Sequence, residues 1–177
     1  MDEVNIVEYD RRWQTLFAQE AERIWQALGN DLVAEIEHIG STAVPGMAAK
    51  PVIDIMVGVH SLVDAKSAVP ILESLGYVYW RENPRPERMF FVKGMPPYGK
   101  QRTHHVHIVE VNSEFWERKL FCDYLRRHPE EAKRYEALKH DLAASFRSDC
   151  EAYTNGKNDY IQAVMSKARY DKMSKKE

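Results

Sequence analysis

The chain has 177 residues, 44% of them hydrophobic and 11% aromatic, and its formal charge is -2. That length and composition fit one domain with a sizeable core and exclude a largely disordered chain. The near-neutral balance excludes the broad basic field that captures long nucleic acid, but leaves room for a small anionic ligand on a local patch. No apolar run approaches a membrane span, and the acidic start MDEVNIVEYD has no secretory h-region, so no membrane partner and a cytoplasmic location are expected. Cys122 and Cys150 lack partners at metal-ligand spacing and read as reduced thiols.

Asp10 caps a helix predicted to run to about Leu28, with Trp13, Leu16, Phe17, Ile24 and Leu28 near helical spacing, and Gly29-Asn30 ends it. Residues 32–39 read as a strand. The β-branched run 52–59, VIDIMVGV, reads as a central one. Ser61-Leu62-Val63-Asp64 has capping-box form and opens a helix to about Leu75, which Pro70 should kink or shorten. Gly76 closes that helix, Tyr77–Trp80 begins another strand, and Asn83-Pro84-Arg85-Pro86 is a turn. RMFFVK (88–93) and HHVHIVEV (104–111) read as hairpin strands, joined by GMPPYGKQRT, which is long enough for a mobile flap. From Ser113 the pattern is helical only, broken at His128-Pro129 and Asn155-Gly156, with a last helix over about 158–169.

This order predicts an α+β fold: a mixed β-sheet covered by helices on one face, the other face open, and a helical C-terminal third. The expected organisation is one domain over 1–170, with an α/β core at 1–112 and a helical extension at 113–170. A frayed tail follows at 171–177.

The segment HIGSTAVPGMAAKPVIDIMVGV (38–59) carries the chemistry. Gly40 lets the chain turn after a strand and approach a ligand closely. Ser41 and Thr42 offer hydroxyls and amides to a phosphate, and Lys50 adds charge at the far end of the loop. Asp54 alternates with Ile53 and Ile55, so it faces away from the covering helices. An acid in so apolar a strand needs a partner, either a metal ion or a fixed cation such as an arginine. In HHVHIVE, Val106 and Ile108 share one face while His105 and His107 share the other. If the apolar sets pack together, both histidines join Asp54. They would then act as ligands of a transition metal, or one of them as a neutral general base. Glu110 has the wrong parity for that face. Arg88, Arg102 and Lys157 are further phosphate-binding candidates. Trp80 and Phe90 suit core packing or stacking on a base.

IGSTAVPGMAAKPVIDIMVGV resembles the signature block of the GrpB family, small proteins of poorly defined function. The resemblance extends through EYD..W...F, HHVHIVE, FCDYLRRHPEEAKRYEALK and AYTNGKNDYI, from about Val7 to Ala168. It implies a nucleotidyltransferase-like fold, and a related domain is found fused to dephospho-coenzyme A kinase. In that superfamily a Gly-Ser turn is followed by Asp-x-Asp or Asp-x-Glu on the next strand. Here Gly40-Ser41 leads to Asp54, but Met56 occupies the place of the second acid, which departs from the two-metal pattern.

The expected function is therefore binding of a nucleotide or nucleotide-like phosphate with a divalent metal, Mg first and Mn or Zn as alternatives. Transfer of a nucleotidyl group to a small acceptor would follow if the site is active. Two alternatives stand beside it: a non-catalytic module binding a nucleotide or coenzyme A precursor, and a metal-dependent phosphohydrolase using Asp54, His105 and His107.

Overall fold

The computed structural model describes residues 3–174. Eleven longer elements follow one another: α1 (Arg12–Leu28), β1 (Glu35–Ile39), β2 (Ile53–Val59), α2 (Ala68–Ser74), β3 (Tyr77–Tyr79), β4 (Arg88–Lys93), β5 (His104–Glu110), α3 (Lys119–Arg127), α4 (Pro129–Ser145), α5 (Cys150–Asn155) and α6 (Asn158–Ser174). The five strands form one mixed sheet in the order β1-β2-β5-β4-β3. Only the central pair, β2 and β5, is parallel; the other neighbours are antiparallel.

Alternation along the central strands builds the first core. Ile53, Ile55, Val57 and Val59 of β2 lie on one face with Val106 and Ile108 of β5 and Met89 and Phe91 of β4. They pack against Trp13, Ile24 and Leu28 of α1 and Leu72 of α2. Each such side chain, taken fully out of water, contributes roughly 1.5–3 kcal/mol. Glu20 of α1 is buried in this layer and is satisfied by Lys93 Nζ at 2.6 Å and the Tyr77 hydroxyl at 2.9 Å. It thereby ties the helix to β3 and β4.

The second face is open only in part. Ile39, Met56 and Val109 point there into a second core, covered by Phe115, Trp116, Phe121, Leu125, Val164 and Met165 from the helical third. Gly58 permits this, because a β-carbon there would lie 2.8 Å from the Trp116 ring. The expected open face is thus half roofed by α3, α4 and α6, and what stays accessible is the end of β2 and β5 where Asp54 and His105 stand.

Boundaries shift by a few residues from the sequence expectation. Asp10 does serve the start of α1, its carboxylate accepting from the Arg12 backbone N–H at 2.8 Å. The helix expected from Ser61 to Leu75 is a 3₁₀ turn at Asp64–Ser67 followed by α2. Pro70 then falls in the first turn of α2, where a missing N–H costs little. The last helix runs to Ser174 rather than stopping near 169, so residues 171–174 are helical instead of frayed; the rest of the expected tail, 175–177, lies outside the described residues. Among the described residues no helix is long and apolar enough to cross a membrane.

Candidate functional site

β2 and β5 run in register with Asp54 opposite His105 and Met56 opposite His107. Parity puts all four on the second face. Asp54 Oδ1 accepts from His105 Nδ1 at 2.9 Å, and His107 Nε2 lies 3.6 Å from the same oxygen. Burial works against the Asp54 charge, but the contacts from His105 and His107 outweigh it and hold the carboxyl well below the usual carboxylate range. Asp54 is therefore ionised, and its side chain keeps 29% exposure.

The protons on the two rings follow from their partners. Arg88 Nη1 lies 2.8 Å from His107 Nδ1, and a guanidinium can only donate. His107 Nδ1 therefore accepts, and its proton sits on Nε2, facing Asp54. Burial pushes His107 down to about 4, with Asp54 opposing and Arg88 assisting, so the ring is neutral near pH 7. On His105, Nδ1 carries the proton given to Asp54, while Nε2 is buried with no hydrogen-bond partner. Neither ring presents an open lone pair to a substrate. In this arrangement the histidines position the carboxylate and do not act as accessible bases.

Asp54, His105 and His107 each offer a ligand atom, all within 4.8 Å of one another. One carboxylate oxygen and two imidazole nitrogens suit Zn²⁺ or another transition ion, whereas Mg²⁺ prefers an all-oxygen shell. Met56 is wholly buried in the second core, so β2 supplies no second carboxylate.

The loop after β1 brings cations to this acid. Gly40 takes φ +75° and passes directly over the Asp54 carboxylate. Ser41 follows, and its side chain interacts with the buried Tyr135 phenol of α4. Lys50 Nζ stands 6.0 Å and Lys157 Nζ 4.3 Å from the centre of the Tyr153 ring. Burial pushes the Lys157 ammonium down to about 8; Asp54 opposes that shift and Lys50 adds to it. Helices α3 and α4 clamp the loop: Arg126 Nε donates to the Ala43 carbonyl at 3.0 Å, Glu136 accepts from Ala48 N at 2.6 Å, and Lys139 donates to the Ala48 carbonyl.

Gly40, Arg88, His105 and His107 thus gather around Asp54, while Ser41 continues the loop over it and Lys50 and Lys157 meet on the Tyr153 ring, where Lys157 feels the Asp54 charge. Thr42 does not join them. It is 1% exposed, and its hydroxyl is 3.0 Å from His38 Nε2 and donates to the Val52 carbonyl at 3.3 Å, so it braces the loop and offers nothing to a phosphate. Arg102 is exposed on the 94–103 loop. The depression of about 570 Å³ beneath that loop is lined by Gly76, Lys93, Tyr98, Lys100 and neighbours, with no contribution from the residues around Asp54. Sequence reasoning missed Tyr135, whose approach to Ser41 depends on how α4 packs, and Arg118, which the 3₁₀ turn at Trp116 sets on the Phe115 ring.

A mixed sheet with a helical third, bearing one acid and two imidazoles among basic side chains, defines a small α+β protein with an acid–imidazole cluster on its half-covered face. The GrpB protein family model matches residues 3–167, and the chain belongs to the GrpB family. A UPF0157 protein of Pseudomonas aeruginosa is 46% identical over 167 residues, covering 94% of this chain and 68% of the relative. The crystal structure of the conserved protein GrpB from Enterococcus faecalis superposes with a TM-score of 0.85 at 32% identity, covering 96% of this chain and 99% of that one. More distantly, a dephospho-CoA kinase of Mycolicibacterium paratuberculosis is 26% identical over 187 residues, covering 93% of this chain and 46% of the kinase.

Proposed function

We propose that this chain binds a nucleotide or nucleotide-like phosphate between Ser41, Lys50, Tyr153 and Lys157, beside a divalent transition metal held by Asp54, His105 and His107. The observation that carries the reading is the pair Lys50 and Lys157, gathered on the Tyr153 ring next to a single carboxylate, in a chain whose overall charge is -2. Two half-buried ammonium groups cost free energy when brought together, and an anion offsets that cost. The metal would act as a Lewis acid toward a phosphate oxygen. Nucleotidyl transfer by two metals needs more carboxylates than this cluster holds, so the reading is one of binding, with Lys50 and Lys157 donating hydrogen bonds to the phosphate and Asp54 as the anionic metal ligand. The distant likeness to a dephospho-CoA kinase supports including coenzyme A precursors among the candidate ligands.

The test is a thermal-shift panel of nucleotides and dephospho-coenzyme A, with and without Zn²⁺, Mn²⁺ and Mg²⁺. A ligand at about 100 times its Kd adds roughly 2.7 kcal/mol, or roughly 5–10 °C for a domain of this size. The shift should disappear in Lys157→Met. A panel in which no compound moves the wild type, or moves Lys157→Met equally, refutes the reading.

A further inference from the structure

Arg88 and Arg118 come from two separate stretches of chain and meet on the Phe115 ring beside His107, and Arg85, three residues before Arg88, lies close enough for its charge to act on both. Arg85 lies in the turn before β4, Arg88 is the first residue of β4, and Arg118 ends the 3₁₀ turn Trp116–Arg118 after β5. All three are half-buried. The Arg118 guanidinium sits 4.1 Å from the centre of the Phe115 ring, and that of Arg88 sits 4.6 Å from Phe90 and 5.4 Å from Phe115. The rings thus form a tray that holds two guanidinium planes in place.

No acid pairs directly with these guanidinium groups; Asp54 acts on Arg88 across His107. Arg88 spends Nε and Nη2 on one oxygen of Asn83, both at 3.3 Å, and Nη1 on His107. Among the described residues, no hydrogen bond or ion pair engages the guanidinium of Arg85 or Arg118; the Asn83 side chain holds Arg85 only by its backbone, donating to the Arg85 carbonyl at 2.6 Å and accepting from its N–H at 3.4 Å. Glu87 and Glu114 act on the cluster only at a distance, and both are exposed. The charges register one another: burial and then Arg85 and Arg118 push Arg88 down to about 10, and burial and then Arg85 lower Arg118. Like charges held together, half out of water and with donors unspent, make a preorganised fork for an anion with several oxygens.

We infer that Arg85, Arg88 and Arg118 form a second anion site that takes a phosphoryl group, on the β4 side of the Asp54–His107 pair and separate from the lysine pocket. The guanidinium forks match a phosphate's oxygens in bidentate fashion, and the aromatic tray keeps their planes fixed in its absence. This assignment stands on the arginines alone. Joined to the lysine pocket, it narrows the ligand class to molecules with two separated anionic groups, and that extension rests on the reading given above.

The experiment follows the arginine Nε–Hε resonances by ¹⁵N NMR during titration with inorganic phosphate, with sodium chloride at matched ionic strength as the control. In the wild type and in Lys157→Met, the Arg88 and Arg118 signals should move with phosphate and not with chloride. In the double variant Arg85→Gln/Arg118→Gln, the Arg88 response should weaken by roughly tenfold or more. Arg118→Lys keeps the charge and most of the stem, so it preserves the fold, and it should lose part of the response because it lacks the fork. Signals that respond equally to chloride overturn the site, as does an Arg88 response unchanged in the double variant. A response lost in Lys157→Met but kept in the double variant also overturns it, while leaving the lysine pocket standing.

Discussion

A β-carbon on Gly40 would lie 2.6 Å from Oδ2 of Asp54, so the glycine and the acid occupy their places only together. The loop that begins the lysine pocket and the carboxylate at the centre of the site are one packing unit. Gly40 also sits at φ +75°, where a side chain is strained whatever the space. Gly46 has a similar φ of +81° but open space around its Cα. The two glycines therefore separate backbone strain from contact. Gly46→Ala should cost about 1 kcal/mol, whereas Gly40→Ala should cost roughly 1–3 kcal/mol more and shift the His105 ring signals by displacing Asp54. Urea unfolding of both variants, with NMR of the histidines, decides it; equal losses would mean that the carboxylate yields freely.

Much of this arrangement is legible in the sequence. Period-two alternation in two short strands placed Asp54, His105 and His107 on one face, because β2 and β5 are neighbours and each has an apolar set that must turn to the helices. The same pattern set Glu110 aside, and it is found accepting from the Leu62 backbone N–H at 3.0 Å. What was hidden depends on packing between distant segments. Thr42 looks like a phosphate ligand until His38, four residues back, claims its hydroxyl. Arg118 reads as one charge in a helical run until the turn at Trp116 sets it on Phe115 and opposite Arg88. The half-covered face was hidden for the same reason: Met56 and Val109 are ordinary strand residues until the helical third folds over them.

Arg88 and a metal compete for the His107 proton arrangement. A metal on Nε2 requires the ring proton on Nδ1, and Arg88 cannot then donate there. Loading a transition ion must therefore break the 2.8 Å contact between Arg88 and His107. Replacing Arg88 by Met removes that obstacle, and zinc affinity should rise by roughly tenfold, the value of a hydrogen bond to a charged group. Asp54→Asn, by contrast, should lose zinc binding. Isothermal titration with Zn²⁺ measures both, and weaker zinc binding in Arg88→Met would show that the arginine supports the metal and does not oppose it.

Acid should unfold this protein in part through His38. The ring is buried against Phe17, with Nε2 on Thr42 and Nδ1 unpartnered. Burial pushes it down to about 4 from its ordinary 6.5; Asp54 opposes that and Arg126 adds to it. Between those two values the unfolded chain holds a proton that the folded chain does not, so stability rises with pH across that window and levels off above it. Acidification from about pH 6.5 to 4 should remove roughly 1 kcal/mol per unit from this ring. In His38→Gln the protein is less stable at pH 7, since the contact with Thr42 is weakened, and its stability should fall less steeply over the same range. Urea midpoints measured at half-unit steps test this; parallel slopes in the two proteins would assign the acid sensitivity elsewhere.

Anion binding should weaken as the pH rises through the region near 8. Lys157 is half-buried on Tyr153 and faces Asp54, Lys50 and Cys150, and burial lowers it to about 8 from an ordinary 10.5. Below about 8 the amine is charged and ready for a phosphate. Above it the free protein loses that proton, and binding must first restore it, so affinity falls with each further unit until the proton is lost from the complex as well. Adenosine monophosphate suits the measurement, because its phosphate is already fully ionised above pH 7, its second pKa being about 6. Its Kd should be flat from about pH 7 to 7.5, then rise by up to tenfold per unit between about 8 and 10. Lys157→Met should bind more weakly throughout and lose that rise. A wild-type Kd that stays flat to pH 10 would mean that Lys157 does not meet the phosphate, and would place the anion on other side chains.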